Sequence, residues 1–133
     1  MKSFDTNVAV RLIVMDDPGQ CERAAQAFRR AVDDGGAFFS ATVLVEVAWV
    51  LRAAYKLDRA TISAALRRLV HTAGVTVEHA PVVGRAIEAF AAGEADFSDY
   101  FIRESSREVG ALPVLTFDQK FAEGSDVELV PSA

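Results

Sequence analysis

The chain has 133 residues, 51% hydrophobic and 25% charged, which fits one domain with a real core and excludes a disordered chain. Its 14 Lys+Arg against 19 Asp+Glu give a formal charge of -5. That argues against a simple nucleic-acid binder held by basic charge, but not against a nuclease whose acids are neutralised by metal.

The expected elements run as follows. A short strand covers about residues 2–5, and a helix starts near Thr6 with Val8, Leu12 and Met15 at helical spacing. Asp17 caps a second helix, Pro18 suits its first turn, and Gly35-Gly36 ends it after about residue 33. Residues 37–39 form a second strand. Ser40 or Thr42 caps a third helix that carries Glu46 and reaches about Tyr55. Asp58 caps a fourth helix running to about Thr72, closed by Gly74, and residues 75–78 alternate like a strand. A fifth helix spans about residues 82–92 and stops at Gly93; a sixth spans about 97–109 and stops at Gly110. Residues 113–117 make a strongly apolar strand, a short helical turn follows Asp118, and residues 127–130 make a last edge strand. Strands that alternate with helices and are apolar throughout imply an α/β fold: one domain over residues 1–133, with a central, mostly parallel sheet of about five strands flanked by helices.

The single cysteine, Cys21, cannot form an internal disulfide, and residues 1–5 lack the apolar core of a secretory signal, so a reducing cytoplasm is expected. Glu46 and Arg52 break the best apolar stretch well short of the roughly 20 residues a membrane span needs.

Five acids stand out by position. Asp5 and Asp118 each follow an apolar strand; if both strands are central and parallel, the two carboxylates leave by the same sheet edge. Asp96 and Asp99 are three apart at a helix start, on a common face and where the dipole favours negative charge. Glu46 interrupts the apolar run 43–51 and calls for a partner, because a carboxylate in apolar surroundings is costly unless paired, hydrogen-bonded or metal-bound. Each has an ordinary reading: Asp5, Asp96 and Asp118 as helix caps, Asp99 as a dipole partner, Glu46 in an ion pair with Arg11 or Arg52. Taken jointly, the five read as one cluster around a divalent cation. Oxygen donors suit Mg²⁺ or Mn²⁺ rather than zinc, and such an ion serves phosphodiester hydrolysis.

Asp5-Thr6-Asn7-Val8, Val45-Glu46-Val47, the run from Gly93 to Asp99, and Leu115-Thr116-Phe117-Asp118, in that order and spacing, resemble the PIN-domain ribonucleases, and most closely the VapC toxins of bacterial type II toxin–antitoxin pairs. The resemblance extends from Asp5 to about Phe121. It implies an endoribonuclease dependent on Mg²⁺ or Mn²⁺, restrained by a cognate antitoxin and often dimeric. Asp5, Glu46, Asp99 and Asp118 would be its catalytic and metal-binding acids, with Asp96 an additional acid that is either ligand or cap. Thr6, Asn7 and Thr116 match the family's supporting polar residues. The chain departs from the pattern after Asp99, where the family has small residues and this sequence has Tyr100-Phe101-Ile102-Arg103-Glu104; larger side chains there are expected to narrow the site or alter substrate choice.

Arg11 reads as balancing the acids or contacting phosphate, the former favoured. Trp49 reads as core, with an antitoxin groove formed with Leu51 and Tyr55 as the alternative. Two other functions compete with the nuclease: a non-catalytic PIN-fold binding module, which loss of acids would signal, and a phosphatase-type acidic-site enzyme. The phosphatase pattern wants an aspartate two residues after Asp5, where this chain has Asn7.

Overall fold

The computed structural model describes residues 1–132. The chain divides into two compact units, Met1–Ala80 and the segment from Pro81 onward.

In the first unit the order is β1 (Lys2–Ser3), α1 (Thr6–Ile13), α2 (Pro18–Asp33), β2 (Ala37–Phe39), α3 (Ala41–Ala53), α4 (Arg59–Val70) and β3 (Val75–Val77). Every helix here starts on a side-chain cap that satisfies an orphan backbone donor. Asp5 accepts from Val8 N, Asp17 from Gln20 N, Ser40 from Val43 N and Asp58 from Thr61 N, at 2.8–3.2 Å. The strands form a parallel sheet in the order β1-β2-β3, with Lys2 opposite Ala37 and Ala37 opposite Val75. The central strand is the most deeply buried: Ala37 and Phe39 are fully enclosed, and the Phe4 ring stacks on Phe39 with centroids 5.5 Å apart. Gly74 makes the turn into β3 at φ +85, where a Cβ would come 2.6 Å from the Val32 side chain. Only glycine fits that approach. Its carbonyl accepts from Ala37 N at 2.8 Å.

In the second unit α5 (Ala80–Ala92), which begins on the last residue of the first unit, is followed by α6 (Phe97–Glu108), β4 (Val114–Thr116), α7 (Gln119–Ala122) and β5 (Val127–Leu129). β4 and β5 pair in parallel, Val114 opposite Val127. α7 packs on both strands and α6 on β4. Edge-to-face ring pairs, Phe90 with Phe97 and Tyr100 with Phe121, fix how α5, α6 and α7 meet.

The α/β class with parallel strands is as expected, and element boundaries fall within two residues or so of expectation. The single sheet of about five strands is not observed: among the described residues three strands pair in one sheet and two in another. The strands are two or three residues long, and an apolar run fixes that a strand forms without fixing its neighbour. Two buried faces also differ. α1 buries Ala9 and Val10 rather than a Val8–Leu12–Met15 stripe, and Met15 is exposed. Leu115 and Phe117, expected in a buried apolar strand, are 58% and 85% exposed. Among the described residues no helix is long and apolar enough to cross a membrane.

Candidate functional site

The first unit presents Asp5 and Glu46. Asp5 is extended, at φ -85 and ψ 177, and its Oδ1 is occupied as the α1 cap. The next residue, Thr6, donates its hydroxyl to Glu46 Oε1 at 2.6 Å, a short bond that ties the start of α1 to the middle of α3. One residue therefore separates the Asp5 carboxylate from the bridge that holds Glu46. Thr6 thus has the supporting role that the sequence pattern gives it, while Asn7 lies exposed on the first turn of α1. Glu46 interrupts an apolar run without being buried. α3 buries Ala41, Leu44, Val47, Ala48 and Leu51, and Glu46 lies on the opposite, exposed stripe with Thr42 and Trp49. The desolvation argument for Glu46 therefore fails, because helical periodicity puts an acid in this run on the outside. Asp5 also borders an open cleft of about 640 Å³ whose lining includes Lys2, Arg30 and Asp34.

Arg11 balances an acid, as favoured, but that acid is Asp16 rather than Glu46. Its guanidinium donates to Gln20 Oε1 at 2.7 Å, to the Tyr55 hydroxyl at 2.9 Å and to Asp16 Oδ1 at 3.3 Å, and Tyr55 in turn donates to Asp16 Oδ2 at 2.7 Å. This network fastens α1 to the start of α2 and the end of α3. Trp49 is 61% exposed, which overturns its core assignment, whereas Leu51 is buried.

The second unit presents Asp96, Asp99 and Asp118. Asp96 is the N-cap of α6, with an extended backbone at φ -73 and ψ 157. Asp99, in the first turn, accepts from Asp96 N through Oδ2 at 3.3 Å, so both acids are fixed to one helix start. Asp118 caps α7, its Oδ1 accepting from Phe121 N at 3.2 Å, and its own N–H donates to Thr116 Oγ1 at 3.0 Å. Thr116 therefore locks the turn that carries Asp118. Burial pushes the Asp99 carboxyl above its ordinary range; the bond from Asp96 N opposes this, and the charges of Asp96 and Asp118 reinforce it.

Three residues expected to narrow the site instead brace this half of it. Tyr100 is buried and its hydroxyl accepts from Glu94 N at 3.1 Å and Ala95 N at 3.2 Å, which pins the loop entering Asp96. The hydroxyl occupies the place a Cβ on residue 93 would need, so Gly93 is required there. Arg103 and Glu104 are also buried. Arg103 lies over the Tyr100 ring, 5.0 Å from its centroid. Glu104 accepts from Arg85, Arg103 and Arg107, while Arg107 reaches Asp126 at 2.9 Å and Arg103 the Ser125 carbonyl at 3.4 Å. Tyr100, Arg103 and Glu104 therefore do not narrow the site. They turn inward and brace α6 against α5 and the turn before β5.

The donor set is all oxygen, as a hard divalent cation requires. Among the described residues no group of three or more acidic, histidine or cysteine side chains is gathered closely enough to hold a metal ion. Nor do β1 and β4 share a hydrogen-bonded sheet, so the sheet-edge argument for bringing Asp5 to Asp118 does not apply. Mg²⁺ needs less than a cage: one or two carboxylates with water and substrate phosphate suffice. Asp99 and Asp118, each fixed at a helix start of the second unit, are donors of the type such a site uses.

The PIN domain family matches residues 3–126, and the chain belongs to that family. PIN domains are generally metal-dependent nucleases, so a metal-dependent, nuclease-like function follows. No curated protein matches the chain.

Proposed function

We propose that the chain is a Mg²⁺-dependent endoribonuclease, with Mn²⁺ as an alternative ion, and that it acts as the toxin of a type II toxin–antitoxin pair. Its partners are an RNA substrate, a cognate antitoxin and a second copy of itself, and its compartment is the cytoplasm. The observation that carries the nuclease reading is the PIN family match, with Asp99 fixed at the start of α6 by Asp96 N and Asp118 fixed at the start of α7 beside Thr116.

Asp99 and Asp118 would hold the cation in the second unit, Asp5 and Glu46 are the candidate acids of the first, and Asp96 serves first as a cap. The ion, when bound, polarises a phosphoryl oxygen and makes a water more acidic. The chain's own share is positional. Each cap bond at Asp5 and Asp118 engages Oδ1 and fixes the carboxylate's direction, and Thr6 orients Glu46 through Oε1. No side chain has to form a covalent intermediate, because water is the nucleophile. The toxin assignment rests on the ordered motif from Asp5 to Asp118.

The test is cleavage of RNA by purified protein. Cutting should require Mg²⁺ or Mn²⁺, stop in excess EDTA, and be lost in Asp5→Asn and Asp99→Asn with the fold retained. Cleavage in EDTA, or by both variants undiminished, contradicts the reading. Expression without a partner should slow growth; unimpaired growth at high expression removes the toxin role and leaves the nuclease chemistry standing.

A further inference from the structure

The β4–β5 sheet of the second unit has one face largely covered and one bare. Side chains alternate across a strand, and Leu115 lies opposite Glu128 with Thr116 opposite Leu129. Val114, Thr116, Val127 and Leu129 therefore share one face, where Val127 is buried and Val114 and Thr116 are half-buried. Leu115 and Glu128 share the other. The pairing continues past both strands, because Val130 N donates to the Thr116 carbonyl at 2.9 Å, so Phe117 and Val130 extend the Leu115 face. On it Leu115 is 58% exposed, Phe117 85% and Val130 36%, with Glu128 exposed beside them.

Neighbours on one face of a sheet lie about 7 Å apart along a strand and about 5 Å apart across strands, so these three apolar side chains are contiguous rather than scattered. Parallel strands are ordinarily covered on both faces. Leaving three large apolar groups of one such face in water forgoes the free energy of burying them. A contiguous patch of this kind marks an interaction site.

Charge decides the occupant. From Pro81 onward the chain has four Lys+Arg against ten Asp+Glu, a net -6, whereas residues 1–80 have ten against nine, a net +1. Three of those four cations, Arg85, Arg103 and Arg107, are already paired with Glu104, Glu108 and Asp126. The second unit therefore presents mostly negative charge, and Glu128 sets one carboxylate within the apolar face itself. A polyanion such as RNA is repelled there, and the same face of a second copy would bring carboxylate against carboxylate. An apolar segment that carries lysine or arginine matches both features. We propose that the face formed by Leu115, Phe117 and Val130 docks an apolar, basic segment of a protein partner, with Glu128 meeting its cation. The proposal goes beyond the nuclease reading and stands or falls apart from it.

The full chain is used to select from a random peptide library, and the strongest peptide is titrated by calorimetry. Selected peptides should combine aliphatic or aromatic residues with lysine or arginine, and replacing those cations by glutamate should abolish binding. Leu115→Ala and Phe117→Ala should each weaken binding about tenfold or more, as loss of a central apolar contact does. Glu128→Gln should weaken it too and flatten its dependence on salt. These side chains are exposed, so the variants should melt with the parent. On isotope-labelled wild-type protein the peptide should shift the amide resonances of residues 115, 117, 128 and 130, a readout that needs no variant. A library that yields no apolar, basic consensus overturns the proposal, as does a peptide that binds the variants as it binds the parent or shifts other residues instead. An oligoribonucleotide that shifts the same amides assigns the face to RNA, and self-association that Leu115→Ala abolishes assigns it to a second copy; either result overturns the proposal. RNA cleavage by the wild type, present or absent, bears only on the nuclease reading.

Discussion

Glu104→Gln is the sharpest probe of how the second unit holds its acids. The Glu104 side chain is 5% exposed and bonds three guanidinium groups: Arg85 Nε and Arg107 Nε at 3.2 Å on Oε1, and Arg103 Nε at 3.0 Å on Oε2. Glutamine keeps the shape, removes the charge and points an amide N–H at a donor. Removing one partner of a fully buried pair costs about 3–5 kcal/mol. Here the side chains of Arg85 and Arg107 are more than 40% exposed and can turn to water, while that of Arg103 is 11% exposed and is stranded. The expected loss is therefore about 2–4 kcal/mol, lowering Tm on the order of 10 °C for a chain of this size.

The pH dependence has a definite sign. Burial raises the Glu104 pKa, but hydrogen bonds from Arg107 and Arg103, with their charges, outweigh it and leave it below the ordinary value of 4.5. A carboxyl depressed on folding stabilises above its unfolded pKa, and that stability is lost as pH falls through the folded value. The gap between parent and variant should be full at pH 7 and close under acid conditions below about 4.5. Urea unfolding at a series of pH values measures it. A gap under 1 kcal/mol at pH 7, or one that does not shrink in acid, refutes this description of the arginine cluster.

Tyr100→Phe removes the hydroxyl that accepts from Glu94 N and Ala95 N. It should cost about 1–2 kcal/mol and weaken Mn²⁺ binding measured by calorimetry, because the loop into Asp96 loosens. Thr6→Val breaks the bond to Glu46. RNA cleavage should drop with little change in Tm, since both partners are near the surface. The Asp99 carboxyl is raised by burial and by its acidic neighbours, so in metal-free protein its ionisation opposes folding at neutral pH. Asp99→Asn should melt higher than the metal-free parent at pH 7, and that advantage should vanish as the pH is lowered and the parent's carboxyl protonates. A lower melting temperature for Asp99→Asn at pH 7 counts against it.

Helix starts were legible because their signals are local. Asp17-Pro18, Ser40, Asp58, Asp96 and Asp118 each sit one residue before a helix, where a short polar side chain satisfies a free N–H. Strand positions were legible for the same reason, but strand partners were not, because pairing is decided by the packing of whole layers. The cap readings of Asp5, Asp96 and Asp118 prove true, and a cap that occupies one carboxylate oxygen leaves the acid able to act with the other. Glu46 was singled out on a burial argument that its exposed position does not support; what remains is its bond to Thr6. Tyr100, Arg103 and Glu104 were misplaced because spacing alone does not tell whether a bulky residue after Asp99 faces the site or the interior. Trp49 was misplaced because large apolar residues are usually buried, and helical periodicity puts residue 49 on the exposed stripe of α3.

The direct measurement of the central claim is Mn²⁺ titration of metal-free protein, read by calorimetry and by melting temperature. Wild-type protein should bind the ion saturably and be stabilised by about 2.7 kcal/mol at a hundredfold excess over Kd. Asp99→Asn and Asp118→Asn should each lose most of that response. A wild type indifferent to Mn²⁺, or variants that respond as fully as it does, would contradict a cation site built on these acids.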